Sequence, residues 1–183
     1  MKNLLCLFIL LACNFSSNAG EESNSRPASP NLRILSYNIK MLPRFIKREH
    51  HAPVKRAKMI PAHMENENPD IIVFQEAFDN GANRILRKRL RHLYSYAIGP
   101  LNKKPGFKIN GGIVIYSKFP IKELGSIQYS RCEDFDCWSR KGVLLVEVND
   151  GQRTYQVAGT HLNGGGSLDF KTSEFREMGT LMK

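Results

Sequence analysis

The chain has 183 residues, 42% of them hydrophobic, with 27 lysines and arginines against 17 aspartates and glutamates. That apolar content excludes a disordered chain and suits one globular domain with one core. The formal charge of +10 favours anionic partners such as phospholipid surfaces, nucleic acid or phosphorylated substrates, without choosing among them.

Residues 1–19 read as an export signal. Lys2 supplies a positive start and Leu4 to Leu11 a short apolar run, too short to span a bilayer stably. Two endings compete. Ser17-Asn18-Ala19 offers small residues to an ordinary signal peptidase. Leu10-Leu11-Ala12-Cys13 has the order of a bacterial lipobox, in which the signal ends at residue 12 and Cys13 is lipidated. Either ending places the protein outside the cytoplasm, secreted or as a surface or periplasmic lipoprotein, with no transmembrane segment in the mature chain. Residues 20–31, rich in Ser, Asn, Glu and Pro, read as a linker.

The domain proper runs over 32–183. Residues 32–39 are a strand candidate. Val54, Ala57, Ile60 and Met64 recur at helical spacing within 53–67, where Pro61 would kink or reset the helix. The apolar run 70–74 suits a strand buried on both faces. Residues 79–93 predict a helix with Ile85, Leu86, Leu90 and Leu93 inward and Arg84, Arg87, Lys88, Arg89 and Arg91 outward, a face either merely solvated or meeting anionic lipid or phosphate. Strands follow at 113–116, more weakly at 121–131, and strongly at 143–148. Asn149-Asp150-Gly151 turns the chain into a further strand at 154–162, and a last helix opens near Asp169. The pattern is a mixed α/β domain with a substantial sheet.

Cys6 and Cys13 fall in the signal, which leaves Cys132 and Cys137. In an oxidising compartment such close cysteines pair and close a small loop. A metal pair is the alternative, but no second Cys/His pair follows at zinc-ligand spacing.

Three apolar runs end on residues suited to phosphoester chemistry: Asn38, then Gln75-Glu76, then Thr160-His161. Strand, helix, strand between 32 and 76 implies a parallel pair, which brings Asn38 and Glu76 to one rim. His161 joins them if its strand runs the same way. Glu76 could be a carboxylate ligand of Mg²⁺, which is hard and keeps several waters. Asn38 could orient a phosphate without adding charge, and His161 could donate to a developing phosphorane oxygen. Each also has a bland reading: a helix cap for Glu76, turn chemistry for Asn38, a structural role for a lone His161.

Leu35-Ser36-Tyr37-Asn38, the segment from Asp70 to Glu76, Gly112 to Ile121, and Gly159-Thr160-His161-Leu162 together resemble, in order, the motifs of the endonuclease/exonuclease/phosphatase superfamily. Glu76-Ala77-Phe78-Asp79-Asn80 and Arg140-Lys141-Gly142 are most similar to its bacterial neutral sphingomyelinases. The resemblance implies a DNase I-like two-layer β-sandwich flanked by helices. It implies Glu76 as ligand of a central Mg²⁺, Asn38 positioning the phosphate or the base, and His161 touching the scissile phosphate. The reaction it implies is hydrolysis of sphingomyelin, at a membrane surface, to ceramide and phosphocholine.

Two departures stand out. Where those enzymes carry an acidic pair before the Gly-Gly, which with the Asn matching Asn80 serves an edge metal, this chain has Ile109-Asn110, so an edge site at Asn80 lacks its carboxylates. The family's Gly-Asp-x-Asn segment and terminal Asp-His pair, which holds the general base, do not occur in the 183 residues. The expectation is a domain incomplete at its C-terminus, poorly stable and inactive alone. His50, His51, His63 and His92 lie outside every motif. A secreted DNase I-like nuclease and a non-catalytic protein binding anionic surfaces are the alternatives, and the sequence does not set an oligomeric state.

Overall fold

The computed structural model describes residues 10–13, 32–43, 46 and 52–182. The start of the expected export signal, Ser17 to Ala19, the linker at 20–31, and His50 and His51 lie outside the described residues.

Among the described residues two four-stranded sheets face each other. One has the order β2-β3-β5-β4: β2 (Ile34–Met41), β3 (Ile71–Ala77), β5 (Val114–Ser117) and β4 (Tyr96–Ile98). The other has the order β1-β8-β7-β6: β1 (Leu10–Cys13), β8 (Thr154–Thr160), β7 (Gly142–Asn149) and β6 (Ile121–Gln128). Helices α1 (Pro53–Glu67) and α2 (Asn80–Leu90) pack on the first sheet, and α3 (Leu168–Leu181) packs on the second. This is the sandwich flanked by helices that the resemblance implies.

The strand period explains the layers. Ile71 and Val73 of β3, Ile115 of β5 and Ile113 just before it meet Leu144, Val146, Val148 and Val157 between the sheets. Their sequence neighbours Ile72, Phe74, Val114 and Tyr116 point the other way, into α1 and α2. Val143, Leu145 and Ala158 face Met178 of α3. A strand with apolar residues on both faces is thus sandwiched between a sheet and a helix layer.

Some boundaries differ from the sequence reading. Helix α1 is continuous through buried Pro61; the ring removes one helical donor, to Ala57, without ending the helix. Asp79 is the N-cap of α2, accepting from the Ala82 amide. Strand β4 and the 3-10 turn η1 (Asp134–Trp138) escape a periodicity reading because both are short. The basic face of α2 is partly structural: Arg87 donates to the carbonyls of Ala97 and Gly99, and Arg89 to that of Lys58.

Leu10–Cys13 pairs antiparallel with β8, Leu10 opposite Ala158 and Cys13 opposite Tyr155. The end of the expected signal therefore lies along the β8 edge, and either cleavage would remove most or all of this strand.

Candidate active site

The parallel β2–β3 pair puts Asn38 opposite Gln75 and one residue from Glu76. A bulge follows Asn38, and Lys40 takes φ +45°. The Asn38 side chain holds the bulge, its Oδ1 accepting from the Lys40 amide at 3.0 Å. Its Nδ2 donates to Glu76 Oε1 at 2.7 Å. Glu76 itself takes φ +54°. The next residues are clamped: the Ala77 amide donates to Gly112 O at 2.9 Å and the Asp79 amide to Met41 O at 2.9 Å.

His161 arrives from the other sheet. Strand β8 runs antiparallel to β7 and does not pair with β3, so His161 meets Asn38 and Glu76 across two sheets and not along one rim of parallel strands. The close approach depends on Gly159, where a Cβ would stand 2.9 Å from Val73 and 3.0 Å from Ile113. His161 Nε2 lies 3.7 Å from Glu76 Oε1, with side-chain exposures of 9% and 17%. Its Nδ1 is buried without a hydrogen-bond partner among the described residues. Burial first, then the Lys141 cation, hold the imidazole down to about 3, partly offset by Asp136. The ring is therefore neutral at physiological pH and can carry one transferable or donated N–H.

Residues behind His161 carry a polar network that sequence reasoning missed. Lys141, 6% exposed, binds Asp136 Oδ1 at 2.7 Å and donates to Leu162 O at 3.2 Å. Asp136 Oδ2 accepts from the Gly164 amide. Buried Asn163 donates to Glu174 Oε1 through both its backbone and side-chain nitrogens. Lys171 donates to Asn163 O. Tyr129 and Thr160 hydroxyls meet at 2.5 Å, and Thr160 also donates to Gly142 O. The one sequence signal was Lys141 beside Gly142, which carried no role.

Cys132 and Cys137 are joined by a disulfide, Cα to Cα 5.0 Å. It closes the turn that presents Asp136.

Among the described residues no three His, Cys, Asp or Glu side chains gather as a metal cage. Glu76 offers a single carboxylate, already oriented by Asn38. Such a donor suits a hard cation that keeps its waters and takes further oxygens from a bound phosphate.

Asn80, the first residue of α2, is exposed. It lines a cleft of about 740 Å³ with Asp79, Asn110 and Lys103, among others, rather than with Glu76 or His161. Asn110 is buried and spent on backbone: its Nδ2 donates to Phe78 O at 3.0 Å and its Oδ1 accepts from the Gly112 amide at 2.8 Å. The 109–110 segment is thus fastened to the 78–80 turn by an amide. Gly112 is required here, with φ +73° and Phe78 ring atoms 2.5 Å from where a Cβ would be.

The Endonuclease/Exonuclease/phosphatase family model matches residues 35–160. Sphingomyelinase C 2 of Leptospira interrogans serovar Lai is 36% identical over 163 residues, covering 80% of this chain and 25% of that protein. Phospholipase C of Staphylococcus aureus is 28% identical over 170 residues, covering 86% of this chain and 51% of that protein. The fold superposes on the crystal structure of SmcL with a TM-score of 0.76 at 24% identity, covering 84% of this chain and 58% of that one. It superposes on Staphylococcus aureus beta toxin with bound magnesium ions with a TM-score of 0.73 at 25% identity, covering 82% and 58%. The chain spans 25% to 58% of the length of these relatives. The family match runs from β2 to Thr160 at the end of β8, across both sheets and more than half of the chain, and the chain belongs to the endonuclease/exonuclease/phosphatase family.

Proposed function

We propose that this chain carries part of the machinery of an exported, Mg²⁺-dependent phosphodiesterase that hydrolyses sphingomyelin to ceramide and phosphocholine. The observation that carries this reading is the convergence of Asn38, Glu76 and His161 from two sheets, with Asn38 Nδ2 2.7 Å and His161 Nε2 3.7 Å from the same Glu76 oxygen. The similarity to bacterial sphingomyelinases C supports the choice of substrate. No helix among the described residues is long and apolar enough to cross a membrane. On this reading the protein meets lipid from the aqueous side, either free or held by a lipidated Cys13.

Glu76 would hold the Mg²⁺, and the ion, when bound, supplies Lewis-acid charge at the phosphoryl oxygens. Asn38 fixes the carboxylate and keeps it from rotating. Neutral His161 presents Nε2–H toward the place where non-bridging oxygens gain charge, a role that needs a donor and not a second cation. Glu76 is committed to Asn38 and His161 to donation, so neither activates water; by the resemblance, the base is a histidine not found among these 183 residues.

Glu76→Gln tests the assignment at the metal and at the reaction. Calorimetric titration with Mg²⁺ is expected to show a site in the native chain that E76Q loses. In a form of the protein that carries the base, phosphocholine release from sphingomyelin vesicles disappears with E76Q or with chelator. Plasmid nicking without phosphocholine release would move the reading to a nuclease of the same family.

A further inference from the structure

Buried polar atoms are rarely left bare, yet two bare oxygens belong to one bonded pair of side chains. Asn163 Oδ1 and Glu174 Oε2 have no hydrogen-bond partner among the described residues. The other ends of the same groups are joined, Asn163 Nδ2 donating to Glu174 Oε1. Asn163 is 2% exposed and Glu174 0%, so bulk water does not serve either oxygen.

One proton repairs both faults. A carboxylate only accepts; it satisfies the amide nitrogen and gives Oδ1 nothing to accept. A carboxylic acid has an O–H of its own. Placed on Oε2, that proton is donated to Oδ1 while Oε1 goes on accepting from Nδ2, and two planar groups close a ring of two hydrogen bonds. The charges around the pair are engaged elsewhere. Lys171, on the same helix and 3.8 Å from Oε2, donates to Asn163 O. Lys141, just before β7, holds Asp136 and Leu162 O. The Tyr129 hydroxyl, just after β6, meets Thr160. Glu177 takes Ser130, and Arg131 takes Asp169. Burial raises the Glu174 pKa against the two lysines and the Asn163 donors.

The pair fastens the stretch that leaves His161. Lys141 holds the Leu162 carbonyl, Lys171 the Asn163 carbonyl and Asp136 the Gly164 amide. Glu174 holds Asn163 through both its backbone and side-chain nitrogens.

We infer that Glu174 is a positioning residue: protonated, it locks the loop after His161 through an acid–amide pair with Asn163, and loss of the proton frees the loop and displaces the imidazole. Ionisation leaves two buried acceptors without a donor, which the core disfavours. The latch is therefore closed on the acid side of the Glu174 titration and opens as pH rises through it. Its effect on catalysis rests on the phosphodiesterase reading above; the latch itself does not.

The full chain, isotope-labelled at glutamate carboxyls and histidine rings, is titrated by NMR without Mg²⁺, the two signals being assigned from their loss in E174Q and H161N. The Glu174 carboxyl is expected to titrate above a free glutamate, and the His161 ring signals to move in step with it. Glu174→Gln keeps both hydrogen bonds of the acid form, since its amide also donates to Oδ1. In E174Q the His161 signals are expected to hold their acid-side positions through the same range. In a form of the protein that carries the base, kcat is expected to fall through that titration with KM unchanged. E174Q removes the fall, whereas E174A lowers kcat about a hundredfold at every pH, the scale of an ångström-sized misplacement. A Glu174 carboxyl that titrates like a free glutamate (an ion pair with Lys171), a His161 ring indifferent to its titration, or an E174Q profile identical to the native one would overturn the latch. Coupled carboxyl and ring signals without cleavage of any phosphodiester would leave the latch standing and remove the enzymatic reading instead.

Discussion

Glu76 holds φ +54°, a left-handed state that costs a non-glycine residue about 1–3 kcal/mol. A carboxylate survives there because its neighbours over-determine it: Asn38 binds its head, and the amides of Ala77 and Asp79 are tied to Gly112 and Met41. Asn110 contributes to the same frame. Asn110→Ala leaves the buried Phe78 carbonyl and Gly112 amide unpaired and is expected to lower stability by about 1–3 kcal/mol, read from urea denaturation. Glu174 is the other strained carboxyl. It is fully buried, and burial pushes its pKa up, against the donors of Asn163 and the cations of Lys171 and Lys141. The unfolded chain releases that proton at lower pH than the folded one. The Glu174 contribution is therefore complete below about pH 4.3, where a free glutamate titrates, and is lost as pH rises through the higher folded value. Glu174→Gln is expected to flatten that fall, so that its melting temperature gains on the native chain between pH 4 and neutrality. Of these residues, Asn38, Glu76 and His161 are visible in the sequence because each closes an apolar run. Asn163 and Glu174 are not, because they lie eleven positions apart and no local pattern announces them; Lys141 stands in the Arg140-Lys141-Gly142 segment, which does not announce its contacts to Asp136 and Leu162.

Elements differ in how much of their placement is local. The parallel β2–β3 unit follows from strand, helix, strand and needs no further information. The sheet to which β8 belongs does not, since its alternation suits either sheet; only Gly159, too small to hold the layers apart, hints at a close crossing. Helix α1 runs through Pro61 because its inner face, Ala57, Ile60 and Met64, is buried on both sides of the proline, and tertiary packing outweighs one lost bond. Two glycines separate packing from propensity. At Gly142, on β7 opposite Gln128, a Cβ would lie 1.9 Å from Ile127 O; Gly142→Ala is expected to cost about 3 kcal/mol or more as β6 and β7 are pushed apart. At Gly179, inside α3, a Cβ meets nothing within 4 Å, and Gly179→Ala is expected to stabilise by about 1 kcal/mol. Thermal unfolding of the pair, with opposite signs, checks both. The turn closed by Cys132 and Cys137 is short, and chain entropy alone assigns its cross-link about 2 kcal/mol. Cys132→Ser with Cys137→Ser is expected to cost about that much and to loosen Asp136 from Gly164, seen as faster amide exchange at Gly164.

At the scale of the whole molecule, three layers of apolar contact hold four layers of structure, and the candidate site lies at the seam of the middle one. Glu76 hangs from the sheet that carries α1 and α2, while His161 hangs from the sheet that carries α3. Their 3.7 Å separation is therefore a gap between two separately built bodies. Among the described residues no strand pairing joins the two sheets, so a shift of one against the other would leave each sheet's own ladder intact. The Glu76–His161 distance then acts as a gauge of alignment between the halves, more sensitive than any measure of helix or strand content. On the proposed function, and in a form of the protein that carries the base, moderate hydrostatic pressure or urea below the unfolding midpoint is expected to silence the site first, reversibly, with the far-ultraviolet circular dichroism still intact.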